Sequence, residues 1–256
     1  MRVESQPAYI LHARAWRETS LLLDAFTRDH GRVGLVARGV RSARARLPRS
    51  ALEPLQALQL GWSGRGELQT LTAAEPVGNP PALRGDTLMS AMYVNELMVR
   101  LTARGDPHPA LFDRYAALLD ELAATTSLAW SLRRFERDLL AATGYALQLE
   151  TEAENGAPLE PTQSYDYVPE LGPVAASGSA GSGARVRGRA LLALAADAMP
   201  KDSEDLAALR RLMRSLIGVH VGDRGLQSWR VLGGLRSGDL PDRRSARVDQ
   251  QFLDTD

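Results

Sequence analysis

The chain has 256 residues, with 31 basic and 31 acidic side chains, four histidines and no cysteine. That length holds one large domain or two small ones, and a hydrophobic fraction of 44% is enough for a core. The lack of cysteine excludes disulfides, thiolate zinc sites and cysteine nucleophiles. No apolar signal core stands near the N-terminus and no stretch approaches the roughly 18 apolar residues of a membrane span, so a soluble, cytoplasmic protein is expected.

Residues 6 to 75 read as strands. Ala8, Ile10 and Leu11 form an apolar run. Leu21, Leu23 and Ala25 follow in a segment that starts apolar on both faces. Gly31 turns the chain into a strand predicted over Arg32–Val40, with Val33, Leu35 and Ala37 on one face. A basic loop comes next. Between Arg32 and Arg49 stand six arginines and no acid. The part from Arg41 to Arg49 has no apolar run and cannot bury itself. Arginine at that density suits phosphate, and the competing explanation is a solvated charged loop. Ala57–Trp62 and Leu68–Ala74 form a hairpin about Ser63, Gly64, Arg65 and Gly66. Five strands in so short a segment suggest a small closed barrel, of which the five-stranded OB-fold is one example.

Gly78 to Pro81 reads as a linker, and the period then becomes helical. One helix starts at a cap on Asp86 and carries Leu88, Met92, Asn95, Leu97 and Leu101. A second opens on Pro109 and carries Leu111, Tyr115, Leu118, Leu119 and Leu122. A third runs from Ser127 to Thr143, with Leu128, Leu132, Phe135, Leu139 and Ala142 on one stripe, and stops at Gly144. Three amphipathic helices joined by short loops argue for a helical bundle. Glu150 to Glu170 is acidic and rich in turn residues. Tyr165, Tyr167 and Val168 hint at a strand, paired with Pro173 to Ala176. Gly178–Gly183 reads as a flexible loop. Helical signals return at Gly188–Ala198, Ser203–Val219 and Leu226–Leu235, and the tail past Ser237 is expected to be disordered. The fold class is therefore α+β. It comprises a barrel domain over 1–80 and a helical domain over 81–236, the latter with an acidic hairpin insertion over 150–186, before a tail over 237–256.

No catalytic constellation emerges. His12, His30, His108 and His220 are scattered without metal-ligand spacing. Gly61, Gly64 and Gly66 lack the helix and the lysine of a phosphate loop. Glu136 and Asp138 face different ways on their helix. The reading is a protein that is not an enzyme and carries no cofactor or metal.

Several segments together resemble the bacterial DNA repair protein family RecO. They are Arg17-Glu18-Thr19-Ser20 with Leu21–Phe26 and Gly31-Arg32; Ala37-Arg38-Gly39-Val40-Arg41-Ser42; Gly64-Arg65-Gly66-Glu67-Leu68; Tyr93-Val94-Asn95-Glu96-Leu97; and Leu132-Arg133-Arg134-Phe135-Glu136 leading to Gly144-Tyr145. Their order and spacing hold from about residue 6 to 145. The resemblance implies an OB-fold followed by a helical domain, and the job of a recombination mediator without catalytic turnover. Such proteins bind single- and double-stranded DNA and anneal complementary strands. They engage the acidic C-terminal tail of single-stranded DNA-binding protein (SSB), and act with RecR to load RecA, in the cytoplasm and at the nucleoid during repair. Many of them carry a four-cysteine zinc site just after the position of Tyr145. This chain has acids there and is similar to the zinc-free branch.

The expected DNA surface is Arg38, Arg41, Arg44, Arg46 and Arg49, extended by Arg14, Arg17, Arg32 and Arg65. Backbone contacts suit annealing because they leave the bases free to pair. Trp16 and Trp62 could stack on bases or serve the barrel. The expected tail site is Arg133, with Arg134 and Arg137, and with Leu111, Tyr115 and Leu118 as apolar walls. Those apolar residues also suit the bundle core, and the arginines also suit surface charges or partners of Glu136 and Asp138. The alternatives are an OB-fold RNA-binding protein, a non-catalytic interaction scaffold and an enzyme built from scattered residues such as His12 and His220.

Overall fold

The structure is a computed structural model that describes residues 2–42, 47, 49–124, 127–176, 184–222 and 225–229. Five strands, β1 (Arg2–Trp16), β2 (Ser20–Thr27), β3 (Gly31–Ala37), β4 (Ala57–Ser63) and β5 (Leu68–Pro76), close into a barrel in the order β1-β2-β3-β5-β4. This is the expected OB-like arrangement. The closure depends on β1, a strand of 15 residues rather than a short one. Its first half, Arg2 to Tyr9, pairs with β4, and its second half, Ala8 to Trp16, pairs with β2. A break in register between Ile10 and His12 bends the strand from one partner to the other. The third strand ends at Ala37, short of the predicted Val40, because Arg38 to Arg41 turn away from the sheet.

Inside the barrel Ile10, Leu23, Leu35, Leu58, Leu60 and Trp62 are buried together. The alternate residues of the same strands, Tyr9, Leu11 and Phe26, belong to a second core shared with the helices. Apolar residues therefore stand on both faces of β1 and β2. One face lines the barrel and the other carries the helical body.

That body consists of α1 (Gly85–Leu101), α2 (Pro109–Ala123), α3 (Leu128–Ala142), α4 (Gly188–Ala195) and α5 (Ser203–Val221). Pro109 opens α2, where its missing N–H costs nothing. The first helix departs from expectation in two ways. Its N-terminus is closed by Thr87, whose hydroxyl donates to the Arg84 carbonyl and accepts from the Arg84 N–H, and not by Asp86. Its inner face is Ala91, Val94, Leu97 and Met98, whereas Leu88 and Met92 are exposed. A helix pressed on two sides has no single stripe to read. The expected hairpin forms as β6 (Ser164–Val168) and β7 (Gly172–Ala175), and β8 (Ala184–Arg187) extends it into a three-stranded sheet in the order β7-β6-β8. Gly178–Gly183 and most of Leu226–Leu235, like the tail beyond them, lie outside the described residues.

Asn95 joins the two parts. Its amide nitrogen donates to the Leu11 carbonyl at 3.0 Å, and its oxygen accepts from the Tyr115 hydroxyl at 2.6 Å. All of these groups are buried. Leucine at Asn95 would leave two buried polar groups without partners, each costing about 1–3 kcal/mol. Asn95→Leu should lower stability to urea by that order. Asn95→Leu/Tyr115→Phe should cost less than the sum of the two single changes, because the second removes an orphaned hydroxyl. Strict additivity in a double-mutant cycle would show that the bond does not couple them.

Candidate nucleic-acid interface and arginine network

The sharp β1–β2 turn and the chain leaving β3 meet at one end of the barrel. Leu21 pairs with Ala37, so Arg17 to Thr19 and Arg38 to Arg41 are neighbours. The Arg41 N–H donates to the Thr19 carbonyl at 2.9 Å, and its guanidinium reaches the Arg17 carbonyl at 3.4 Å. Arg17 has φ +51°, which turns the chain sharply there. Arg14, Arg17, Arg38 and Arg41 are exposed. The Arg14 guanidinium lies 6.0 Å from the half-buried Trp16 ring. None of these four arginines forms an ion pair among the described residues. Four uncompensated cations and one aromatic face therefore share one end of the barrel.

Other members of the expected set lie elsewhere. Arg44 and Arg46 fall outside the described residues. Arg49 is exposed in a short 3-10 turn (Arg49–Leu52). Arg65 is exposed in the β4–β5 turn, beside the Gly34 end of the β3–β5 pairing and away from the strand end that leads to Arg38. Arg32 serves the architecture. Its guanidinium donates to the Thr102 carbonyl and to Asp24, which also binds Arg104. Trp62 is wholly inside the barrel and cannot reach a base.

The expected tail site is reshaped more strongly. Leu111, Tyr115 and Leu118 are core residues, with Tyr115 and Leu118 fully buried. Arg133 is 6% exposed and Glu136 is 0% exposed. The Arg133 guanidinium donates to Glu136 Oε1, which also accepts from the Tyr93 hydroxyl at 2.8 Å. Two motifs noted in the sequence, those of Tyr93 and of Arg133-Glu136, thus meet in one buried cluster. Burial pushes the Glu136 carboxyl above the ordinary 4.5, and the Arg133 charge and the hydrogen bonds only partly oppose it. Arg134 and Arg137 are nearer the surface and share Asp197, a residue with φ +56° just past α4. Arg114, Glu121 and Asp138 complete a network of three arginines and three acids across α2, α3 and the end of α4. Arg134 holds the Asp197 carboxyl below its ordinary range, with help from Arg137.

Glu96 was missed from the sequence. Its carboxylate accepts from the backbone N–H groups of Gln227 and Ser228 and from the Ser228 hydroxyl, at 2.7 to 2.9 Å. It pins the last described turn onto α1. Asn95, a polar residue within an apolar stripe, carried a visible signal. Glu96 carried none, because its partner lies 131 residues away.

The segment after Tyr145 is held without metal ligands. The Tyr165 hydroxyl accepts from the Glu160 N–H at 2.9 Å, and the Tyr167 hydroxyl from the Gln148 N–H at 3.1 Å. The sequence has no cysteine, and no group of three potential ligands occurs among the described residues. The residues present do not fit a zinc site. Nor is any helix among them long and apolar enough to cross a membrane.

Removing Arg133 would leave a buried carboxylate. Arg133→Ala should cost about 3–5 kcal/mol at neutral pH. The folded Glu136 value lies above the unfolded one, so the native state binds the extra proton. Stability then falls as pH rises from the ordinary value to the folded value. Losing the arginine raises the folded value further. The deficit of Arg133→Ala against the parent should therefore shrink between pH 7 and pH 5 in urea titrations. An equal deficit at both would refute the charge account.

Comparison with known proteins places the chain. Residues 1–80 match the family described as Recombination protein O N terminal, and residues 83–230 match Recombination protein O C terminal. The DNA repair protein RecO of Nitrosococcus oceani is 48% identical over 236 residues, covering 92% of this chain and 95% of that protein. The RecO of Xanthomonas oryzae pv. oryzae is 45% identical over 238 residues, covering 92% and 98%. That of Stenotrophomonas maltophilia is 43% identical over 234 residues, covering 91% and 97%. The two matched segments, which coincide with the barrel and the helical body, together with these identities make this chain a member of the RecO family of DNA repair and recombination proteins.

Proposed function

We propose that this protein is a non-catalytic recombination mediator that binds single- and double-stranded DNA at the basic end of its barrel and anneals complementary strands. The observation that carries this reading is the meeting of Arg14, Arg17, Arg38 and Arg41 beside Trp16. Two DNA strands repel each other along their whole length. A surface that neutralises phosphates and releases their counterions lowers that repulsion. Arginine forks grip phosphates and leave the base edges free, which pairing requires. Arg44 and Arg46, which follow Arg41 in the sequence and lie outside the described residues, are further candidates for phosphate contact in this reading. Arg49 and Arg65 are secondary contacts.

The mediator role adds protein partners. An acidic SSB tail requires cations at the surface of the helical body. Arg134 and Arg137 supply them, and the tail carboxylate competes with Asp197 for their guanidinium groups. Arg133 supports the site from beneath. RecR is the partner with which RecA is loaded, in the cytoplasm at the nucleoid.

Arg17→Ala/Arg38→Ala/Arg41→Ala should weaken DNA binding and flatten its dependence on salt. Three lost phosphate contacts correspond to a change in log–log slope of about 2.7 on duplex and about 2.1 on single strands. Arg32→Ala should leave the slope unchanged. An unaltered slope in the triple variant would move the DNA surface elsewhere, and a marked preference for RNA would favour an RNA-binding role. For the tail, annealing of two complementary oligonucleotides, one coated with SSB, should accelerate with this protein. The acceleration should fall when the SSB tail is deleted or when Arg134→Glu/Arg137→Glu is introduced. Acceleration indifferent to both would remove the tail site.

A further inference from the structure

On the helical body, away from the arginine network, a cleft of about 330 Å³ opens between the end of α3, the β6–β7 turn and α5. Its floor is core: Leu140, Tyr167 and Leu216 are buried. Its rim is not. Tyr145 is 46% exposed and Leu171 is 54% exposed. The Tyr145 ring stacks on His220 with centroids 3.9 Å apart. Large apolar side chains grouped at the mouth of one cleft are a feature of binding surfaces.

Both rim residues are fixed by backbone geometry. Gly144, at φ +89°, ends α3 in a motif where its N–H donates to Ala141 and the Tyr145 N–H donates to Leu140 at 2.8 Å. Tyr145 is thereby held at the mouth. Leu171 closes a four-residue turn through its N–H to the Val168 carbonyl at 3.2 Å. Within that turn Glu170 adopts φ +65°, a strained conformation for a residue with a side chain. The sheet therefore tolerates strain in the turn that presents Leu171 to solvent.

The segment that forms the α3-end and β6–β7 walls of the cleft is acidic, while α5 brings His220 to the remaining wall. From Gly144 to Ala176 the chain has six acids (Glu150, Glu152, Glu154, Glu160, Asp166 and Glu170) and neither lysine nor arginine. Asp166 is paired with Arg185, and Glu152 takes the Asn155 amide. Glu150, Glu154, Glu160 and Glu170 form no ion pair among the described residues. Glu170 lines the cleft itself. The stretch that carries Glu150, Glu152 and Glu154 borders it, for Gln148 lines the wall and the Ala153 N–H donates to the Pro173 carbonyl at 2.8 Å. Such a rim repels nucleic acid and acidic peptides alike.

We propose that this cleft docks a basic segment of a partner protein. One aromatic or long apolar side chain of that segment enters between Tyr145 and Leu171, and lysines or arginines on either side of it face Glu150, Glu154 and Glu170. The apolar anchor supplies most of the affinity, and the acids supply rate and selection against anionic partners. This site is separate from the basic end of the barrel and does not depend on the reading given to it.

The test uses the full-length protein and a labelled peptide, Arg-Lys-Trp-Lys-Arg, followed by fluorescence anisotropy at low and moderate salt. Saturable one-to-one binding is expected. It should weaken about tenfold or more when the peptide tryptophan becomes alanine, and likewise in the protein variants Leu171→Asp and Glu150→Lys/Glu170→Lys. Glu-Glu-Trp-Glu-Glu should not bind. Circular dichroism and DNA affinity monitor folding, and Leu171→Ser replaces Leu171→Asp if the latter fails to fold. Arg38→Ala/Arg41→Ala should leave peptide affinity unchanged. Absence of saturable binding, equal binding of the alanine peptide, or indifference to both rim variants would overturn the proposal. Self-association of the parent chain abolished by Glu150→Lys/Glu170→Lys would also overturn it, by making the occupant a second copy.

Discussion

The buried amide of Asn95 is the constraint on which the rest of the structure depends. A polar side chain in an apolar interface is tolerated only when its donor and acceptor both find partners. Asn95 finds one on β1 and one on α2. The requirement fixes the angle between barrel and helices more sharply than apolar contact could, because hydrogen bonds are directional and burial is not. Around it Tyr9, Phe26, Phe112 and Tyr115 pack ring against ring, with centroids 4.9 to 6.4 Å apart. Further out, Arg32 and Arg104 share Asp24, and Arg28 forks onto Asp113. Gly31 completes the seam. A side chain there would stand 2.1 Å from the Asp106 carbonyl oxygen. The barrel is therefore carried on the helices as one piece, and its basic end has a set direction relative to α3.

Much of this could be read from the sequence where a local period decides the structure. Val33, Leu35 and Ala37 lie inside the barrel as their alternation requires, and α2 buries its whole predicted stripe. The reading weakened where two surfaces compete for one element. The inner face of α1 does not run through Leu88 and Met92, because the helix packs against both barrel and bundle. The candidate site followed the same division. Arg38 and Arg41 were legible as neighbours because one short stretch holds them, whereas Arg17 joins them through the pairing of β2 with β3. Arg32 looked like a free cation and is committed to Asp24 on the neighbouring strand, whereas the pairing of Arg133 with Glu136, three residues on along α3, was open to helical periodicity and its burial was not. A count of arginines measures supply. Which of them remain available is decided by tertiary pairing.

The segment from Gly144 to Ala176 is positioned without metal ligands. A structural zinc site fixes loop geometry through directional bonds to thiolates. Here two buried tyrosines do comparable positioning. Each ring is anchored in the core while its hydroxyl accepts a backbone N–H from the loop. Burial holds the Tyr167 hydroxyl up at about 12, so it remains a neutral phenol across the physiological range. The fixation is insensitive to redox state and to chelators, which thiolate ligation is not.

A net charge of zero hides a strong separation. The surface arginines of α2 and α3 are matched by Glu121, Asp138 and Asp197. Two groups of charges without ion pairs among the described residues stand out, one at the barrel end, which is basic, and one along the segment after Tyr145, which is acidic. At physiological salt the Debye length is about 8 Å, so each region acts on what approaches it with little cancellation from the other. A polyanion is drawn to the barrel end and turned away from the cleft. The same screening that weakens attraction at a distance keeps the two surfaces electrostatically independent.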